Sequence, residues 1–207
     1  ISGEQSGVAA QDLGTVTITG GTISGYYGVA AYCGGRVTIS GGIISGEKHG
    51  VYADASTVMI RGGSISGDTY DIISSLSTMI LTLGENGVGA SFPGGIKVYD
   101  TTLNEILDEG AAYWQGNTMI IPADGATEIT GGDVVIKAVC PHTASKTGYV
   151  DLKDGTNHTY VCSGCNVTFT EVHSYDATTL LCICGAAHSD AVASVSKNGV
   201  VTGAYTT

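Results

Sequence analysis

Residues 20–25 of this 207-residue chain read Gly-Gly-Thr-Ile-Ser-Gly, and similar hexapeptides occupy residues 41–46, Gly-Gly-Ile-Ile-Ser-Gly, and residues 62–67, Gly-Gly-Ser-Ile-Ser-Gly. The copies begin at residues 20, 41 and 62, so the interval is 21 residues both times. The tripeptide at residues 1–3, Ile-Ser-Gly, matches the end of an earlier copy. Self-similarity at a fixed period of roughly 20–50 residues is the signature of a repeat architecture such as a solenoid.

Apolar residues recur at the same interval and predict the interior of this solenoid. Four positions of the repeat keep an aliphatic side chain, or methionine, in successive copies: Val16, Val37, Val58 and Met79; Ile18, Ile39, Ile60 and Leu81; Val8, Val29, Val51 and Ile72, with one inserted residue near His49; and Ile23, Ile44 and Ile65. Each copy contains three short strand-like segments with glycines at the corners. We therefore predict a mainly β fold, a right-handed parallel β-helix with about 21 residues per rung. An antiparallel sandwich would not repeat these offsets.

The repeat fades after residue 83, and the open end of a β-helix needs a cover. In residues 101–110, Leu103, Ile106 and Leu107 share one helical face, Thr101 or Thr102 can serve as N-cap, and Gly110 as C-cap. We expect a short capping helix there.

Beyond that helix, Tyr113 and Trp114 are expected to pack against the last rungs, followed by strands at residues 118–121 and 133–139. The predicted domains are residues 1–95 for the β-helix rungs, 96–139 for the cap or extension, 140–188 for a Cys/His zinc-binding module, and 189–207 for the start of a following domain or strand.

Charge and hydropathy limit the classes of partner. The net charge is −11 and there are only eight Lys and Arg residues, so no basic surface is available for nucleic acid. No apolar run reaches the ~20 residues that span a bilayer, which predicts no membrane insertion in this fragment. Because Ile1 begins inside a repeat, we expect the fragment to belong to a longer multidomain chain.

Cysteine and histidine are concentrated in the last third of the chain. Five of the six cysteines and four of the five histidines lie in residues 140–188. The candidate metal ligands in that segment are Cys140, His142, His158, Cys162, Cys165, His173, Cys182 and Cys184, with His188 in reserve. Cys162 and Cys165 have the Cys-x2-Cys spacing of a zinc knuckle, whereas Cys182 and Cys184 are one residue closer.

Zinc competes with disulfides as the stabilising element of this segment. Secreted proteins form disulfides and six cysteines are an even number, but Cys33 is far from the others and histidines have no role in a disulfide framework. We favour structural zinc, as one or two ions. The division of ligands stays open between a four-cysteine site with a Cys/His3 site, an interleaved arrangement, and a single ion.

The run Cys-x-His, His-x3-Cys-x2-Cys, Glu-x-His and Cys-x-Cys-Gly resembles the small Cys/His repeats of large, adhesin-like cell-surface proteins of Gram-positive gut bacteria, in which they alternate with pectate-lyase-like (pectin lyase-like) β-helices. The resemblance covers both halves of the chain. It implies a zinc-stabilised structural module in a secreted, cell-wall-associated protein. The tail from residue 193 is similar to the opening of a further β-helix.

Catalysis is not expected, although parallel β-helices include polysaccharide lyases. The acids of residues 1–95 are scattered, with no Asp-x-Asp pair or other catalytic motif, and a lyase-like enzyme is the least favoured function. Glu171 near His173 would be a base only beside an open zinc position, and a cysteine-rich shell favours a closed structural site.

Two non-catalytic functions remain. The first is a stalk that projects adhesive domains from the cell wall. The second is binding of a host glycan or surface protein on exposed tyrosines in turns or outward positions of neighbouring rungs: Tyr26, Tyr27, Tyr32 and Tyr52.

Overall fold

The computed structural model describes residues 1–141, 146–176, 181–184, 186, 193–197 and 200–205. The chain divides into two compact units, Ile1–Val139 and Cys140–Thr207. Almost all of the regular structure is β-strand.

The first unit is a β-solenoid of about four turns, spaced about 21 residues apart. Its rungs are built from seven strands: β1 (Ser2–Ala10), β2 (Thr15–Ile18), β3 (Thr22–Tyr32), β4 (Arg36–Asp54), β5 (Thr57–Gly67), β6 (Tyr70–Ser75) and β7 (Thr78–Leu81). Every pairing among them is parallel, as in β1 with β3, β3 with β4 and β4 with β5. The predicted solenoid of parallel strands is confirmed.

The aliphatic columns predicted from the period lie in register. Val16 pairs with Val37, Val37 with Val58, and Val58 with Met79. In a second column, Ile23 pairs with Ile44 and Ile44 with Ile65. Most of these side chains are buried in one continuous core, so stacked aliphatic residues fill the solenoid interior.

Glycine is required at position 50, within β4, because the chain there packs closely against the next rung. A Cβ atom on Gly50 would lie 2.8 Å from the carbonyl oxygen of Asp71 and 2.8 Å from Cγ2 of Ile65. Because both neighbours belong to the next rung, a larger residue would force the rungs apart.

Further strands close the solenoid after its last repeat. They are β8 (Val88–Phe92), β9 (Gly95–Tyr99), β10 (Ala111–Gln115), β11 (Thr118–Ile120), β12 (Glu128–Thr130) and β13 (Val134–Ala138). β8 and β9 pair in parallel with β5 and β6 of the solenoid. The remaining pairs are antiparallel: β10 with β11 and β13, β13 with β8, and β12 with β9. The expected strands at 118–121 and 133–139 are present but shorter. Tyr113 and Trp114 belong to β10, and the buried Tyr113 hydroxyl donates to the Leu103 carbonyl oxygen.

The capping helix is shorter than predicted. Helix α1 spans only Leu103–Ile106 and carries the expected N-cap, because Thr102 and Glu105 form a capping box. The prediction that Leu107 continues the helix and that Gly110 caps it is wrong. Leu107 is extended and bridges in parallel to Leu81 of the last rung, so pairing with the solenoid ends the helix.

The second unit contains a three-stranded antiparallel sheet, β14 (Lys146–Asp151), β15 (Asn157–Cys162) and β16 (Thr168–Val172), with β15 in the centre. A separate antiparallel hairpin joins β17 (Ala193–Lys197) and β18 (Val200–Tyr205). Within the part of the chain that the structure describes, no helix has the length and apolar character needed to cross a bilayer.

Candidate metal centres

The first candidate centre, the cysteine cluster, consists of Cys140, Cys162 and Cys165, whose sulfur atoms all lie within 4.8 Å of one another. Cys162 is the last residue of β15, and a tight turn follows it. In this turn the backbone amides of Cys165 and Asn166 both donate to the Cys162 carbonyl oxygen. Asn166 has a φ of 56°, which lets this tight knuckle turn both thiols toward one point. All three cysteines are buried.

The spacing of the sulfur atoms fits a tetrahedral metal ion. All six cysteines of the chain are thiols, none in a disulfide. The Sγ atoms of Cys140 and Cys162 are 3.8 Å apart, whereas a disulfide joins sulfurs at about 2.05 Å. Two thiolates on one Zn²⁺, each at about 2.3 Å with a tetrahedral angle between them, lie about 3.8 Å apart.

Burial favours the neutral thiol of Cys165 in this cluster. Burial, with smaller contributions from the neighbouring Cys140 and Cys162, raises the pKa of this thiol to about 11. Three thiolates so close together would repel one another in a site shielded from water. A coordinated divalent cation reverses this preference, because a thiol that binds it is deprotonated.

The second candidate centre, the mixed cluster, consists of His158, His173, Cys182 and Cys184, with one ligand atom from each within 4.8 Å of the others. The sheet brings them together. His158 is in β15, and His173 directly follows β16. Cys182 forms an antiparallel bridge with Tyr175, two residues after His173. Burial raises the pKa of the Cys184 thiol as well. Two imidazoles and two thiols form the Cys2His2 donor set of structural zinc sites.

Each imidazole of the mixed cluster has one nitrogen available for a metal. His158 Nδ1 lies 3.4 Å from Cys182 Sγ, while its Nε2 lies 3.0 Å from Glu171 Oε1. His173 Nδ1 is 2.9 Å from the Tyr175 hydroxyl, and its buried Nε2 lies 3.6 Å from Asp151 Oδ1 and has no hydrogen-bond partner among the described residues. A buried nitrogen without a partner is costly unless a metal takes that position.

Glu171 orients His158 instead of lying next to a reactive position. The two residues are directly opposite in the β15–β16 pair, and the other carboxylate oxygen of Glu171 accepts a hydrogen bond from Lys146. This lysine is the main cause that lowers the pKa of Glu171, and His158 adds to it. A carboxylate on the far nitrogen of a ligating histidine is a frequent partner at zinc sites. Lys146 and Tyr175 were not singled out from the sequence.

The two clusters lie at opposite ends of one strand. His158 is the second residue of β15 and Cys162 is the last. At about 3.3 Å per residue, four residues of strand separate them by about 13 Å. One ion cannot bind both groups, so the geometry provides for two centres.

The described candidate ligands therefore group as in the interleaved arrangement. Cys182 and Cys184 join histidines and do not form a four-cysteine site with Cys162 and Cys165. His142, the remaining predicted ligand, and His188, its reserve, lie outside the described residues.

Candidate ligands also account for the buried residues of this unit. Among its described side chains, the buried ones all belong to the two clusters: Cys140, His158, Cys162, Cys165 and Cys182. The sheet contributes partly exposed aromatic contacts, such as Tyr160 with Phe169. A small unit whose interior consists of thiols and an imidazole has little apolar burial to stabilise it.

The four tyrosines predicted to bind a ligand lie close together on the outside of the solenoid. Tyr27 and Tyr52 stack with ring centroids 4.9 Å apart, Tyr26 meets Tyr27 edge-on, and Tyr32 is tilted against Tyr52. Of the four, Tyr26 is the most exposed, at 39%. Their binding role stays a prediction.

No protein-family model, curated protein or solved structure matches this chain. Its function is therefore argued from its own residues.

Proposed function

We propose that this chain is a non-catalytic structural segment of a bacterial cell-surface, adhesin-like protein, in which a right-handed β-helical rod adjoins a zinc-stabilised module. One observation carries the proposal: the buried described side chains of the second unit are all candidate ligands. Such a unit gains its folding free energy from bound metal, since a site of this kind does not exist in the unfolded chain.

Zinc is the metal that the donor atoms favour. Structural zinc sites use four thiolate and imidazole ligands in a tetrahedron, which the mixed cluster supplies in full. Hard cations such as Mg²⁺ and Ca²⁺ require oxygen ligands. For the cysteine cluster we propose His142 as fourth ligand, as in the eight-residue set predicted from the sequence, with His188 as the alternative.

The solenoid supports a structural role through its buried carboxylate. Asp71, whose pKa is raised by burial, accepts hydrogen bonds from the backbone amides of Gly67 and Lys97. Gly67 lies in the same turn and Lys97 in the next rung, so the carboxylate fastens successive rungs. A buried acid bound in this way holds the backbone and has no unused oxygen directed at a substrate.

Mechanical unfolding of single molecules tests the structural role, because a stalk must hold its fold under load. The whole chain is pulled from both ends with zinc present and again after EDTA. We expect two unfolding events with zinc, and EDTA should abolish the event of the second unit while leaving that of the solenoid. Cys165→Ser should weaken the zinc-dependent event, whereas Cys33→Ser, at an exposed cysteine of the solenoid, should not. An event of the second unit that is indifferent to EDTA would contradict the proposal.

The cellular location has its own test. An antibody raised against this chain should label intact cells of the source organism. Labelling that requires permeabilised cells would place the protein inside and refute the cell-surface assignment.

A further inference from the structure

The outer face of the solenoid carries a continuous band of aromatic rings that extends beyond the tyrosines singled out from the sequence. Two outward columns form it: Tyr27, His49 and Tyr70 pair in register across successive rungs, and Tyr52 is followed by Ile73 and Tyr99. Neighbouring rings are in contact along the whole band, from Tyr27 with His49 at 5.5 Å to Tyr70 with Tyr99 at 5.2 Å between centroids.

In the middle of the band the ring faces cover one another. Tyr27 lies nearly parallel to His49, with an angle of 8°, and to Tyr52, with an angle of 20°. His49 is only 3% exposed. These ring contacts stabilise the rungs and cover part of the aromatic surface in the middle of the band.

At the end of the band nearest the solenoid cap the situation differs. Tyr99 is 53% exposed and is tilted by 44° from Tyr70, so the two rings do not cover each other fully. The ammonium group of Lys97 lies over the Tyr70 ring, 5.2 Å from its centre, and so covers part of Tyr70. Tyr99 is therefore the open aromatic surface of the band.

Tyr99 faces a cleft of about 490 Å³ that also contains hydroxyl, carboxylate and ammonium groups. Its lining includes Tyr70, Lys97, Tyr99, Asp100, Thr101 and Glu105. Asp100 directly follows Tyr99 in a left-handed backbone conformation, with a φ of 62°, and lines the same cleft. Glu105 is engaged with Thr102 in the capping box, which leaves Asp100 as the acceptor best placed for a ligand.

We propose that this cleft binds a neutral saccharide with the all-equatorial configuration of glucose, stacked on Tyr99 and hydrogen-bonded by Asp100 and Lys97. The C–H groups on the flat face of such a ring point weakly positive hydrogens at the negative face of the aromatic ring, and its hydroxyls meet polar groups at the edge. Two carboxylates and one ammonium give the lining a net negative charge, which disfavours acidic sugars. The proposal is independent of the metal centres, which lie in the other unit.

Isothermal titration of the full-length chain tests this with two β-1,4-linked probes, cellohexaose and the hexamer of N-acetylglucosamine. We expect at least one probe to bind, and Tyr99→Ala to raise its Kd at least tenfold. Tyr99→Phe, which keeps the ring, should stay within about threefold of wild type. Tyr26→Ala, at an exposed tyrosine near the opposite end of the band, is the matched control and should change Kd less than twofold. Fluorescence of Trp114 verifies that each variant is folded.

Three outcomes would overturn the proposal. The first is no binding of either probe by the wild-type chain. The second is a loss of binding in Tyr26→Ala equal to that in Tyr99→Ala, which would move the site to the tyrosines at the other end. The third is preferential binding of a hyaluronan hexasaccharide, which would contradict the neutral ligand class.

Discussion

His49 is a titratable side chain within a stack of aromatic rings. It is 3% exposed, and its Nδ1 atom has no hydrogen-bond partner in the part of the chain that the structure describes. Burial, with a contribution from the neighbouring Lys48, lowers the pKa of this imidazole below its ordinary value. The neutral form is therefore the one that fits the folded solenoid.

The sign of the resulting pH dependence follows from that direction. The unfolded chain takes up a proton at His49 near the ordinary pKa of about 6.5, and the folded chain does so only at lower pH. The stability contributed by neutral His49 is thus present above about pH 6.5 and is lost as the pH falls through the lowered folded-state pKa.

We therefore predict that the free energy of unfolding falls more between about pH 7.5 and about pH 5 in wild type than in His49→Phe. Urea unfolding followed by Trp114 fluorescence reports on the solenoid, because Trp114 is the chain's one tryptophan and is 8% exposed. Asp71, whose pKa is raised by burial, acts in the opposite direction but is present in both proteins. Equal pH dependence in the two would contradict this role of His49.

The strand is the element that the sequence predicted best. The period alone placed Ile23, Ile44 and Ile65 in one column. In a solenoid, residues that are one repeat length apart in sequence stack on one another in successive rungs. Tyr70 lies 21 residues after His49 and pairs with it, so the extension of the aromatic band was readable by the same rule. The strands that close the solenoid after β7 have no repeat to reveal them.

The metal ligands illustrate what spacing leaves undetermined. Knuckle spacing indicated that Cys162 and Cys165 share a site, and the structure places them together. It did not indicate that Cys182 and Cys184 join His158, since that depends on how the chain returns to β15. Which ligands share a centre is set by sheet pairing between distant segments, and local spacing carries no information about it.

Two neighbouring isoleucines of β4 test the aliphatic columns. Ile44 is fully buried in its column, whereas Ile43 points outward and is 56% exposed. Ile44→Ala should lower the free energy of unfolding of the solenoid by about 2–5 kcal/mol, because it leaves a cavity in a packed interior. Ile43→Ala is the matched control and should change it by about 0.5 kcal/mol or less. Equal effects in urea unfolding would show that the column is not the source of stability.

At the scale of the whole molecule, the two units are stabilised by different interactions. The solenoid, Ile1–Val139, buries a continuous apolar core along its rungs. The second unit, Cys140–Thr207, buries thiols and an imidazole among its described side chains. Removal of metal should therefore act on one unit and spare the other.

Metal content tests this division most directly. The purified chain is analysed by inductively coupled plasma mass spectrometry, with titration of reactive thiols before and after chelation. We predict two zinc ions per chain, with the five cysteines at 140–184 protected from thiol reagents until the zinc is removed. One ion per chain would contradict the two separate centres. A chain without zinc, its cysteines oxidised in pairs, would contradict the metal-stabilised second unit altogether.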